Sequence, residues 1–139
     1  MIDLSKIQNG HLLTDVFGKF PSFHDSEVHR INLIRETRSF GPTLTALIHV
    51  FEVIKESHEK KRRFLESHAF VEFRFSKVSD LEIVGFNYQN VLQSLEITEV
   101  VEAETEKPKY EISFEGIFGV SARFYCEEIS IESVEPYVP

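Results

Sequence analysis

Apolar and polar residues alternate with period two over much of this chain, the repeat that puts successive side chains on opposite faces of a β-strand. The clearest case is Ala69, Val71, Phe73 and Phe75, interleaved with Phe70, Glu72 and Arg74. Tyr110, Ile112 and Phe114 repeat the pattern with Glu111, Ser113 and Glu115 outward, and Leu95, Ile97 and Val101 alternate with Glu96, Thr98 and Val100. Val28 to Arg35 and Leu81 to Phe86 read as two more strands, the latter ending near Gly85, with Asn87 to Asn90 as a loop or a single helical turn. Leu44 to Ile54 is apolar on both phases, as in a central strand covered on two faces. Turn residues separate these runs: Arg38 to Pro42, the charged Ala103 to Pro108, and Gly116 with Gly119.

The last run carries a phase slip. Val120, Ala122, Phe124 and Cys126 share one face, whereas Ile129 and Ile131 fall on the other parity. Either a β-bulge at Glu127-Glu128 absorbs the extra residue, or one strand ends there and another begins. Before the strands, Leu12, Leu13, Val16 and Phe17 have helical spacing, with Gly18 as a stop signal. No strand–helix alternation supports a parallel sheet. The expected class is mainly β (α+β): an antiparallel sheet or sandwich of about seven strands with one or two short helices.

Length and composition narrow this further. At 139 residues, without repeat, linker or low-complexity tract, the chain is expected to form a single domain over 1–139. With 42% hydrophobic residues and 13 Phe it has the mass for a core of its own. Cys126, the single cysteine, excludes an internal disulfide or a multi-cysteine zinc site and reads as a small core residue. No leader-like segment and no apolar run of membrane-spanning length is present, so a cytoplasmic protein without membrane contact is expected.

The formal charge of −8 is unevenly spread. Residues 95–139 hold 11 glutamates against Lys107, Lys109 and Arg123, whereas acids and bases cancel over 1–94. One cationic run, Lys60-Lys61-Arg62-Arg63, opposes them within a polar segment, 55–67. A net-acidic chain disfavours nucleic acid as a partner, but suits a basic protein, whose approach such a field accelerates. On charge alone Glu111, Glu115, Glu127 and Glu128 are the candidate contacts for that partner.

Candidate chemistry is sparse. His24, Asp25 and Glu27 are competent metal ligands or acid–base groups, with His29 close behind. If the segment is a strand, however, His24 faces away from Asp25 and Glu27, and a metal would need His49, His68 or Asp80 from far away. The reading preferred here is structural: Pro21 and Ser22 make a turn, and His24 and Asp25 fix the start of the strand through their polar atoms. His49, inside an apolar run, reads as a hydrogen-bonded sheet residue. Phe23, Phe40, Phe51 and Phe86 with Tyr88 either line an aromatic pocket or fill the core. No nucleophile, phosphate-loop or zinc-protease motif occurs, so no enzyme, metal or cofactor is expected.

Phe20-Pro-Ser-Phe-His-Asp-Ser-Glu-Val28, Gly41 to Ala46, Ile48 to Phe51, Phe73-Arg-Phe75 with Asp80-Leu81, Gly85-Phe-Asn-Tyr-Gln-Asn-Val-Leu92, and Cys126 with Ser133 to Pro136 form an ordered set of segments. This set resembles the immunity protein 50 family. Together the segments span about 20–136, with Tyr88 standing where the family pattern carries a histidine. The resemblance implies a non-enzymatic bacterial immunity protein that binds and neutralises a cognate toxin, and it assigns no binding residue. Two alternatives remain at this stage: a small metal-binding or hydrolytic protein built on His24, Asp25 and Glu27, or a self-associating structural protein. Either the binder or the structural protein is compatible with a homodimer.

Overall fold

A computed structural model describes residues 3–36, 41–58, 61–100 and 109–137, with the side chains of 53–66 outside that description. After a 3-10 turn (Leu4–Lys6) and helix α1 (His11–Phe17), eight strands follow: β1 (Glu27–Ile34), β2 (Thr43–His58), β3 (Lys61–Ser76), β4 (Ser79–Val84), β5 (Val91–Glu99), β6 (Tyr110–Phe118), β7 (Ser121–Cys126) and β8 (Glu128–Pro136). All of their pairings are antiparallel, in the order β4-β7-β6-β5-β1-β2-β3-β8.

That order requires the sheet to fold on itself. Glu127 alone separates β7 from β8, yet the two lie far apart in the sheet order. The β1-β2-β3-β8 half therefore turns its inner face to the β4-β7-β6-β5 half. Phe75 of β3 meets Phe124 of β7 at 5.1 Å between ring centroids and Phe114 of β6 at 6.2 Å. Leu44, Ala46, Ile48 and Val50 of β2 and Ala69, Val71, Phe73 and Phe75 of β3 are all fully buried between the halves. Each large apolar side chain enclosed there contributes about 1.5–3 kcal/mol.

The phase slip at Glu127 is thus a change of strand and not a bulge. β7 ends with Cys126 inward, Glu127 N–H donates to the Ser76 carbonyl at 3.0 Å, and β8 begins against β3. The strand count is one above the expectation, and the slip supplies the extra strand.

Other boundaries also move. The polar 55–67 segment belongs to a long β2–β3 hairpin, paired from Thr43↔Ser76 to His58↔Lys61. Of the cationic run, Lys60 lies outside the described residues, and Lys61 to Arg63 open β3. The turns expected at 38–40 and at 103–108 also lie outside the described residues. β5 starts at Val91, not Leu95, and Gly116 is a residue of β6, not of a turn. β2 is central, but only one face is sealed: Leu47, His49 and Phe51 on the other are half-buried.

The N-terminal segment closes one end. Ile7, Leu13 and Phe17 are buried there, and α1 stops at Gly18, whose left-handed φ of 75° lets its N–H reach the Thr14 carbonyl. Gln8 adds a short parallel bridge to β8, donating to the Ile129 carbonyl and accepting from Ile131 N–H, both at 2.9 Å. Glu52 on β2, with Lys19 at 3.8 Å, accepts from Ser22 N–H at 2.7 Å and ties the following loop down.

Candidate functional site

The sequence around His24 makes a joint. Phe23 (φ 60°) and Asp25 (φ 64°) both adopt left-handed backbone, so His24 and Asp25 sit in a tight turn, not in a strand. The turn buries Phe23 against Phe20 and Phe73 and leaves His24 and Asp25 exposed. The chain then meets β5: Asp25 N–H donates to the Leu92 carbonyl at 2.9 Å, Leu92 N–H to Ser26 at 2.8 Å, and Val28 N–H to Asn90 at 2.9 Å. His24 Nδ1 lies 3.1 Å from the Gln93 carbonyl, which fixes that nitrogen as the donor. These contacts join the two halves of the sheet, and residues 20–28 and 85–92 supply its two sides.

As ligands the charged groups of this segment do not converge. His24 stands 3.5 Å from Asp25, and Glu27 stands 3.5 Å from His29, as two separate pairs. Among the described residues no three His, Cys, Asp or Glu side chains come together as a metal site would need. Cys126 is fully buried, and burial pushes its thiol up to about 12, far from a reactive thiolate.

The outer face of β1, β2 and β3 gathers histidines that sequence spacing did not bring together. Register sets Glu27, His49, Phe70 and Glu135 in one cross-strand row. His29 joins them as the extra residue of a bulge, since Val28 pairs with Ile48 and Arg30 with Leu47. His49 Nε2 lies 3.0 Å from His68 Nδ1 and 2.8 Å from the Tyr137 hydroxyl, and Phe70 stacks on Tyr137 at 4.8 Å. His49 is thus the hydrogen-bonded sheet residue expected. Burial, then the neighbouring His68 and His29, hold its pKa below the ordinary 6.5, against a smaller opposite pull from Glu27. The unfolded chain therefore takes up this proton first as pH falls. Stability from neutral His49 is full above about pH 6.5 and declines below it. Acidification from pH 7.5 to 5.5 should lower the melting temperature, with a shallower slope in His49→Gln; equal slopes would contradict this assignment.

The other outer face is acidic. Glu82, Arg123, Ser113 and Glu96 form a row across β4, β7, β6 and β5; Tyr125, Glu111 and Thr98 form the next, and Glu115 pairs with Ser94. Four glutamates thus share the face with one arginine, and Arg123 Nε is already committed to Glu111 at 2.6 Å. Of the residues nominated by charge, Glu111 and Glu115 belong here. Glu127 and Glu128 sit instead at the β7–β8 corner. Glu127 is poorly placed as a surface contact: only 12% of its side chain is exposed, and it faces Lys77 at 3.9 Å. Glu128 is exposed.

At one end the acidic face runs into an apolar tip, which includes Phe86 and Tyr88, the two aromatics that sequence reasoning placed in a pocket or core. Val84, Phe86, Tyr88, Ile117 and Phe118 are exposed by 66%, 49%, 97%, 41% and 62%. The 85–90 loop carrying Phe86 and Tyr88 is held by the buried Asn90. Its Oδ1 accepts from Asn87 N–H at 2.9 Å and Val120 N–H at 3.1 Å; its Nδ2 donates to the carbonyls of Asn87 at 2.7 Å and Val28 at 3.4 Å. The available signal was two aromatics placed between Gly85 and Asn90, off any alternating strand.

The fold and these surfaces define a small, mainly β protein whose two half-sheets are hydrogen-bonded to one another where residues 25–28 meet 90–92. The chain belongs to the immunity protein 50 family, whose sequence model matches residues 9–137, nearly the whole chain. The match takes in α1, beyond the 20–136 span of the resemblance seen in the sequence. Searches of curated proteins and of solved structures gave no significant match. No helix among the described residues is long and apolar enough to cross a membrane.

Proposed function

We propose that this protein neutralises a toxin domain by binding it stoichiometrically in the cytoplasm, without catalysis, and that the domain it binds is basic. The family name supports an immunity role. The observation that carries the binding mode is the outer face of β4-β7-β6-β5, where Glu82, Glu96, Glu111 and Glu115 lie around Arg123. Such a field steers an oppositely charged partner and raises the association rate, an advantage that salt removes. The test is binding of the toxin domain encoded beside this gene. Nanomolar affinity is expected, and raising NaCl from 50 to 500 mM should weaken it by about tenfold, mainly through slower association. The double variant Glu111→Lys/Glu115→Lys should do the same at low salt. No binding would refute the reading, and binding indifferent to salt and to charge reversal would refute its electrostatic part.

A further inference from the structure

We propose that the apolar tip formed by Val84, Phe86, Tyr88, Ile117 and Phe118 is the anchor of the toxin contact, and that it enters an apolar depression bordered by lysine or arginine side chains on the toxin domain. The proposal deepens the binding reading above and rests on it.

Three observations point the same way. First, the tip is exposed and apolar. Tyr88 is 97% exposed and Phe118 62%, while the large core side chains are sealed. Aromatic side chains raised from a surface are the residue type that dominates binding energy at protein interfaces. Second, the backbone that carries Phe86 and Tyr88 is already held in place. Asn90 fixes the loop through four hydrogen bonds, and the backbones of Gly85 and Gly119 touch so closely that a methyl group on Gly85 would lie 2.5 Å from the Gly119 carbonyl. A loop ordered before binding loses little conformational freedom when the partner arrives.

Third, charge selects the occupant. Glu82, Val84, Ser113, Glu115, Ser121 and Arg123 line one shallow groove, so the tip borders the acidic face through Val84. β6 itself runs from Glu111 and Glu115 directly into Ile117 and Phe118. An apolar anchor with a carboxylate border complements a pocket with a cationic border. A second copy of this chain would oppose carboxylates to carboxylates, an arrangement that costs affinity.

The test uses the full chain and the toxin domain of the adjacent gene. Phe86→Ala/Tyr88→Ala should weaken binding by about 30-fold or more, mainly through faster dissociation. Asn32→Ala, on the opposite outer face, should leave binding within about twofold. Because Phe86 and Tyr88 are exposed, the double variant should keep its melting temperature, and Tyr88→Ser alone provides a milder variant should the pair fail to fold. A complex that forms normally and tolerates these variants overturns the tip proposal and leaves the immunity reading intact. A native chain that does not bind the domain overturns both. Self-association that the double variant abolishes would assign the tip to a homodimer, and would overturn the proposal.

Discussion

Asn90→Ala is expected to lower the melting temperature by about 10 °C, the equivalent of about 3–4 kcal/mol for a domain of this size. Asn90 is 4% exposed, and its amide is the meeting point of three segments: the 85–90 loop through Asn87, β1 through Val28, and the β6–β7 turn through Val120. Truncation leaves the buried Val120 N–H and the part-buried Asn87 N–H without their acceptor, and a buried orphan costs about 1–3 kcal/mol, on top of the lost bonds to the Val28 and Asn87 carbonyls. The conservative Asn90→Asp does not rescue, because it retains the acceptor but sets an acceptor-only carboxylate against the carbonyls of Val28 and Asn87. Thermal melts of the three proteins check this. An Asn90→Ala variant as stable as the parent would mean that the joint is not held by this side chain.

A comparably large loss should follow Gly119→Ala. Its φ is 77°, and an added methyl would lie 2.2 Å from the Gln89 carbonyl oxygen and 2.5 Å from Asn90 Oδ1. Left-handed backbone alone costs alanine about 1–2 kcal/mol. The clash adds to that because the nearest atom is backbone and cannot swing aside, for about 3 kcal/mol or more in total. Gly18 separates the two effects. Its φ is 75°, but nothing lies within 4 Å of its missing Cβ. Gly18→Ala should therefore cost only about 1–2 kcal/mol. Urea denaturation of the pair should show the difference, and equal losses would refute the close packing of Gly85, Gly119 and the 89–90 backbone.

Where a strand has one face buried and one exposed, its sequence announces it. β3 and β7 are legible residue by residue because Phe73, Phe75, Phe124 and Cys126 alternate with polar neighbours. The distal β2–β3 hairpin is not, since a polar strand carries no such contrast and its pairing alone identifies it. The slip at Glu127 was visible, but its outcome depended on β8 finding β3, a long-range choice that local alternation does not encode.

The site follows the same logic. The segments 20–28 and 85–92 were each conspicuous, yet only folding shows that they are hydrogen-bonded to one another. His29, His49 and His68 share no sequence spacing. Register and one bulge bring them together. Aromatic content pointed to core for Phe86 and Tyr88, because composition carries no information on which loop is raised from the surface.

Stoichiometric neutralisation is read out by titrating the toxin domain's own activity with this protein. A binder predicts activity that falls in a straight line to zero at one equivalent, recovers when the complex is dissociated, and is released by Phe86→Ala/Tyr88→Ala. Progressive loss of toxin activity at a small fraction of an equivalent, with the toxin chemically altered, would mean turnover and would rule out neutralisation by binding.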